Sequence, residues 1–459
     1  MAALRSALLD LPPARAVLRV AWPMAALGIL RACYFLTDSY WVGRMGPAPL
    51  AALGGSAFAW WMIVLACDLP ATGAHALVAR AEGAGRRERI APILAQAAML
   101  GLALCALLLT PAFAARGLYF DLLGFAPGSA EHLLGQEYVG ASLLGASALA
   151  LYAVVGAAFR GLGQTRTALV ITAGALVVNA WLDPLLIWGF GPVPALGIAG
   201  AAWATAIANA VGAAVGLALL ASRGHRVRLL RPRVADLVQL VRIGTPVSAS
   251  GLGFALCYVL LGRVITGFGS EQMGALGVGH RLEGMAYLVC VAFGVGAATM
   301  VGQHLGAGDA ERARESAAGA ARMCVLAMVP LAVVLLAFAR PLFAAFTDDP
   351  ATIEAGVLYL RIQALVLPLM ALEEVYQGSF AGAGDTLAAS IISFGWTAAR
   401  VPAAWWLSHA LGLGAAGVWI AIAGSTGIKG LLMWRWWRRG RWEQAMAETE
   451  GESPPLQLP

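Results

Sequence analysis

The sequence predicts an all-α integral membrane protein with twelve transmembrane helices, arranged as two parallel repeats of six. Three observations carry this. The chain of 459 residues is 60% hydrophobic and only 12% charged, about half the charge of a soluble domain. Apolar stretches of roughly 20 residues, the length that crosses a bilayer, recur from end to end. The second half of the chain repeats the first, with residues 11–90 aligning with 234–313 without a gap. The apolar stretches are continuous rather than alternating, which speaks against a membrane β-barrel.

The expected spans are 17–44, 50–76, 91–115, 134–158, 165–190, 197–221, 235–267, 272–302, 318–338, 354–379, 386–410 and 414–434. Arginine sets their direction. Arg15 precedes the first span and Arg19 lies in its first turn, Arg86, Arg87 and Arg89 follow the second, and Arg160 and Arg166 flank the loop after the fourth. Arg223, Arg226, Arg228, Arg231 and Arg233 follow the sixth, Arg312 and Arg314 the eighth, and Arg435, Arg438, Arg439 and Arg441 the twelfth. The turns 189–197 and 410–414 carry none. By the positive-inside rule both termini are expected in the cytoplasm. Pro23, Pro184, Pro246, Pro368 and Pro402 fall in or near spans, where a bent helix is tolerated if it faces protein or a cavity. The tail 438–459, acidic and Pro-rich from Trp442 onward, is expected to be disordered.

The six cysteines lie in apolar segments without CxxC spacing and read as small packing residues rather than disulfides or metal ligands. The six histidines show no HExxH spacing, and no GxxxxGK[ST] phosphate loop occurs. Composition thus excludes an internal ATPase motor, and the net charge of +6, concentrated in loops, does not point to nucleic acid.

The repeat defines the domains: an N-lobe over 1–222, a linker over 223–234 and a C-lobe over 235–437. Matched pairs include Pro23/Pro246, Gly46/Gly269, Cys67/Cys290 and Gly73/Gly296, and FRGLGQT from Phe159 matches FAGAGDT from Phe380. Each lobe holds an even number of spans, so both face the same way, related by an axis along the membrane normal. Two parallel lobes with a cleft between them imply a transporter.

Ionisable residues inside spans are the candidate sites. Asp38 lies late in span one. Asn179 and Asp183 lie late in span five, four residues apart and so on one helix face. Thr205 lies early in span six. Span directions put all four at similar depth in one lobe. Two carboxylates, an amide and a hydroxyl suit a bound Na⁺, and two carboxylates close together in low dielectric equally suit a shared proton. The plainer alternative is that each aspartate pairs with a polar neighbour, or with Arg31, and only holds helices together. In the repeat Asp38 aligns with Leu261, Asn179 with Arg400 and Asp183 with Ala404, so the acidic set belongs to one lobe. The other lobe carries Glu283, Glu373, Glu374, Arg361, Arg400 and Lys429. Glu374 and Gln377 are placed to face a cleft and meet a cation, against an internal ion pair between a glutamate and Arg361 or Arg400. Tyr34, Phe35 and Trp60 can stack on a flat lipophilic cation or simply face lipid.

These stretches resemble the multidrug and toxic compound extrusion (MATE) family over roughly residues 11–435. The marks are Pro23, TDSYWVGRMG with Asp38, the loops AEGAGRRER and QHLGAGDAERAR, FRGLGQTRT, FAGAGDT, and NAWLDPLLIWGFGPVPALGIAGAAWAT. The resemblance implies two six-helix lobes forming a V-shaped cleft in the bacterial inner membrane, and export of cationic or amphipathic small molecules in exchange for H⁺ or Na⁺. It implies no cofactor, no enzyme activity, and no partner beyond membrane lipid and substrate. Carried over, its acidic N-lobe pattern falls on Asp38, Asn179, Asp183 and Thr205, which would also be the Na⁺ ligands. Beside this pattern, the candidate substrate-cleft residues are Tyr34, Glu283, Glu373, Glu374 and Gln377, and Pro23 gives span one a place to bend. The family's other acidic pattern needs an acid in span seven, and none occurs between Ile243 and Gly269. The rival readings are a flippase for a lipid-linked precursor and, further off, an integral-membrane enzyme, for which no catalytic set is found.

Overall fold

A computed structural model describes residues 8–228 and 231–443, leaving out the side chains of Arg31, Ala32, Tyr34, Phe35, Leu36 and Ser270. The end of the tail, 444–459, thus lies outside the described residues. Helices dominate: α1 Pro13–Gly43, α2 Pro47–Gly83, α3 Ile90–Leu122, α4 Ala130–Gly161, α5 Thr165–Trp188, α6 Ile198–Ser222 and α7 Val234–Thr266. They continue as α8 Ser270–Gly306, α9 Ala310–Ala337, α10 Ala339–Ala344, α11 Pro350–Ala364, α12 Leu367–Ala383, α13 Thr386–Trp405 and α14 Ala415–Arg438. Among the described residues there is no strand, only a bridge between Phe190 and Val193.

Among the described residues, ten helices are long and apolar enough to cross a bilayer alone, and α11 with α12 forms an eleventh candidate span, bent by 55°. The tenth expected span is therefore broken, with Pro368 in the first turn of its second half. The expected span 386–410 is α13 extended by a π-helical turn over Trp406–Ala410. It is absent from the helices that pass on length and hydropathy, because Arg400 sits in its middle. The count of twelve is thus approximate.

The repeat is visible in the backbone. Helices α2 and α8 both run 37 residues. Each starts after a glycine in the left-handed region, Gly46 at φ 123° and Gly269 at φ 114°, where a side chain is strained. Contacts divide the chain into two compact units, one of Ala26–Ser248 and one of Met1–Ala25 with Ala249–Pro459. Compared with the lobes read from the repeat, the units exchange the first halves of α1 and α7. The chain passes from unit to unit two residues after Pro23 and two residues after Pro246.

Each exchanged half-helix docks on a glycine. A Cβ on Gly73 of α2 would stand 2.8 Å from Cα and O of Leu240 in the first half of α7. A Cβ on Gly296 of α8 would stand 3.1 Å from O of Val17 in the first half of α1. Gly73 matches Gly296, and Leu240 matches Val17, at the same offset. Close backbone approach over small residues is how helices associate where lipid removes the hydrophobic drive. The linker into α7 is held as well: buried Gln96 donates to O of Arg231 at 2.9 Å and accepts from N of Arg233 at 3.1 Å. Arg89 pairs with Asp236 at 3.1 Å.

Two glycines of α2 give a contrasting prediction. Gly73→Ala is expected to cost about 1–3 kcal/mol by overpacking. Gly54→Ala, where nothing lies within 4 Å of the new Cβ, is expected to be neutral or to stabilise by about 0.5–1 kcal/mol. Thermal unfolding of both variants in detergent checks the ordering.

Candidate functional site

Helices α1, α5 and α6 bring Asp38, Asn179, Asp183 and Thr205 together inside the Ala26–Ser248 unit. Asn179 and Asp183 are one turn apart on α5, and both are 0% exposed. Asn179 Nδ2 donates to Asp183 Oδ1 at 3.2 Å and, more weakly, to Thr205 Oγ1 at 3.5 Å. Thr205 Oγ1 donates to Asp38 Oδ2 at 3.4 Å. The result is a chain, Asp183–Asn179–Thr205–Asp38, whose two carboxyl groups lie within electrostatic range of one another. The residues expected from span direction to share a depth are thus in contact.

The chain is short of donors. Asp38 Oδ1, Asn179 Oδ1 and Asp183 Oδ2 are buried without a hydrogen-bond partner among the described residues. Neither carboxylate forms an ion pair there, and the side chain of Arg31 is outside the description. Buried polar atoms are ordinarily satisfied, and buried charge is ordinarily paired. Three orphaned oxygens around two acids form an acceptor-only pocket, which is stabilised by a small cation or a proton. The donor set is oxygen alone, and no group of three or more His, Cys, Asp or Glu able to hold a metal ion occurs among the described residues.

Tyr138 of α4, 6% exposed, lies within electrostatic range of both Asp38 and Asp183. No sequence signal marks it, since a single tyrosine inside an apolar span has no spacing to read. Tyr34 has its side chain outside the described residues. Pro23 lies inside α1.

The other unit fills the equivalent place differently. Arg400, the repeat partner of Asn179, is 2% exposed. Its guanidinium donates to Ser425 Oγ at 2.8 Å, Tyr258 Oη at 2.8 Å and Thr426 Oγ1 at 3.2 Å. A permanent cation thus occupies the position where the first unit gathers acids. The internal ion pair of this unit joins Glu373 to Lys429 at 2.6 Å, rather than to Arg361 or Arg400. Glu283 accepts from Tyr359 Oη at 2.6 Å. Glu374 and Gln377 are half-buried on α12.

The sequence profile of the MatE family matches residues 23–185 and 246–406, one stretch in each half of the repeat. The chain is 25% identical over 438 residues to a probable multidrug resistance protein NorM of Thermotoga maritima, covering 94% of each. It is 29% identical over 433 residues to the multidrug resistance protein NorM of Burkholderia vietnamiensis, covering 91% of this chain and 92% of that one. Its fold matches a crystal structure of a MATE in the bent conformation with a TM-score of 0.87 and 23% identity, covering 97% of this chain and 98% of the other. Matched by the profile in both halves and alike in fold from end to end, this multi-pass membrane protein belongs to the MATE family of transporters.

Proposed function

We propose that this protein is a secondary active multidrug exporter, exchanging H⁺ or Na⁺ from outside for an organic cation or amphipathic compound from inside. The observation that carries this reading is the donor-poor chain of Asp38, Thr205, Asn179 and Asp183, with an unpartnered acceptor oxygen on each acid and on the amide. Two buried acids with three orphaned oxygens favour whichever state delivers a cation to them. An ion can shift a conformational equilibrium only by binding one state better than the other. Neutralising the pair changes which packing of α1, α5 and α6 is stable. Pro23, next to the point where α1 leaves one compact unit for the other, gives that helix a place to bend. Alternating access follows as the two packings exchange. Both termini are cytoplasmic in this reading, and the protein sits in the bacterial inner membrane.

Within the Ala249–Pro459 part of its unit, substrate would meet Glu374, Gln377 and Glu283. Glu373 would act through its pair with Lys429, not as a free carboxylate. The multidrug resistance relatives favour export over the flippase reading.

Reconstitution in liposomes tests the proposal. Efflux of a fluorescent cationic dye is followed under a pH gradient and, separately, under a Na⁺ gradient. Dye movement driven by one of them identifies the coupling ion. Absence of movement under both sinks the exporter reading and turns attention to lipid-linked substrates.

A further inference from the structure

The Ala26–Ser248 unit has a cavity that none of the four residues of the acidic chain lines. It encloses about 280 Å³ between α2, α3 and α4. Its walls are apolar, with Met62, Cys67, Cys105, Leu109 and Leu143 among them. Alanines from all three helices keep it open. Met62 is 53% exposed and Leu108 44% exposed, so the cavity opens on the surface that faces hydrocarbon. It is a lateral groove.

The groove has a direction. On α3 its lining runs from Cys105 to Arg116, about 16 Å at 1.5 Å per residue. That is roughly the depth of one leaflet, half of a hydrocarbon core about 30 Å thick. Its deep end is wholly apolar, and its shallow end carries Arg116, near the terminus of α3. The Arg116 guanidinium lies 3.7 Å from the Phe113 ring centroid and donates to the Phe113 carbonyl. It forms no ion pair among the described residues. Most of its five N–H donors are left for a planar or tetrahedral oxyanion. The hydroxyl of neighbouring Tyr119 is already committed, donating to Gly55 O at 2.7 Å.

An apolar slot one leaflet deep, capped by an unpaired guanidinium, has the polarity of a phospholipid read from tail to head. We infer that this groove holds one acyl chain of a glycerophospholipid, with the lipid phosphate on Arg116. Under the proposed topology the lipid sits in the outer leaflet. The site also reaches towards the carboxylates, because α4 presents Val139 and Leu143 to the groove and Tyr138 to the acidic pair. An occupied groove braces the helix that walls the ion site.

The test uses the full chain in lipid nanodiscs, with a phosphatidylglycerol bearing a photoreactive diazirine at the end of one acyl chain. After irradiation, labelled peptides are mapped by mass spectrometry. Labelling is expected on the segments around Cys67 and Cys105 and is competed by unlabelled phosphatidylglycerol. Ala112→Phe fills the slot and should abolish it. Arg116→Gln, at the groove mouth, should lower it about tenfold, the loss of one charge-assisted contact. Equal labelling on the outward-facing Leu107, 70% exposed, insensitive to both substitutions, would show annular lipid only and overturn the inference. So would competition by a lipophilic cationic dye and not by phospholipid, which would make the groove a substrate portal. Undiminished labelling in Arg116→Gln alone would overturn the phosphate assignment.

Discussion

Asp38→Asn is expected to reduce gradient-driven dye export at least about tenfold, the loss of roughly 1.4 kcal/mol or more of coupling free energy. The substitution keeps the shape of the side chain and can keep the hydrogen bond to Thr205 Oγ1. It removes one of the two charges that make the pocket favour a cation. With that charge gone, the ion no longer distinguishes the two states, and a ligand without differential affinity shifts nothing. Asp183→Asn should behave alike. Thr205→Val should be milder, because the hydroxyl links Asp38 at 3.4 Å to the Asn179 amide at 3.5 Å without carrying charge. The readout is initial dye efflux under the coupling gradient, beside dye binding at equilibrium and thermal stability in detergent. Binding and stability should stay near wild type, which separates lost coupling from lost folding. Full coupled export by Asp38→Asn would sink the assignment of the ion to this site.

How far the sequence carried differs between the two units, for physical reasons. Asp38, Asn179, Asp183 and Thr205 stood out because a charged or amide side chain in an apolar span is costly, and helix direction alone orders their depths. Their spatial meeting needed only span polarity and the i, i+4 rule. The partner of Glu373 was not readable in the same way. Arg361, Arg400 and Lys429 all lay within the apolar half-chain, and only packing selects Lys429, whose α14 lies against α12. The exchange of half-helices at Pro23 and Pro246 left no trace in the pattern. Gly73 matches Gly296 whether each receives the near or the far half-helix, so a symmetric repeat hides the swap. The break between α11 and α12 had one signal, Pro368, which fits the first turn of a new helix as readily as a bend.

The largest expected effect on stability is at the buried pair of the other unit. Glu373 is 5% exposed and Lys429 is 3% exposed, and their 2.6 Å contact joins α12 to α14. Lys429 Nζ also lies 3.4 Å from Thr397 Oγ1 of α13, so one ammonium ties three helices. Lys429→Met leaves a carboxylate buried without its cation and should cost about 3–5 kcal/mol. Arg400 offers no ready replacement, since its guanidinium is held by Ser425, Tyr258 and Thr426. The double variant Glu373→Gln/Lys429→Met removes both charges and keeps the volume, and most of the loss should be recovered, because an apolar pair of similar size often equals a buried ion pair. A double-mutant cycle on thermal unfolding measures this, and the coupling should exceed about 1 kcal/mol for groups in contact. Single and double variants that add independently would show that the pair contributes nothing to the unit, and that the three helices are held by apolar packing alone.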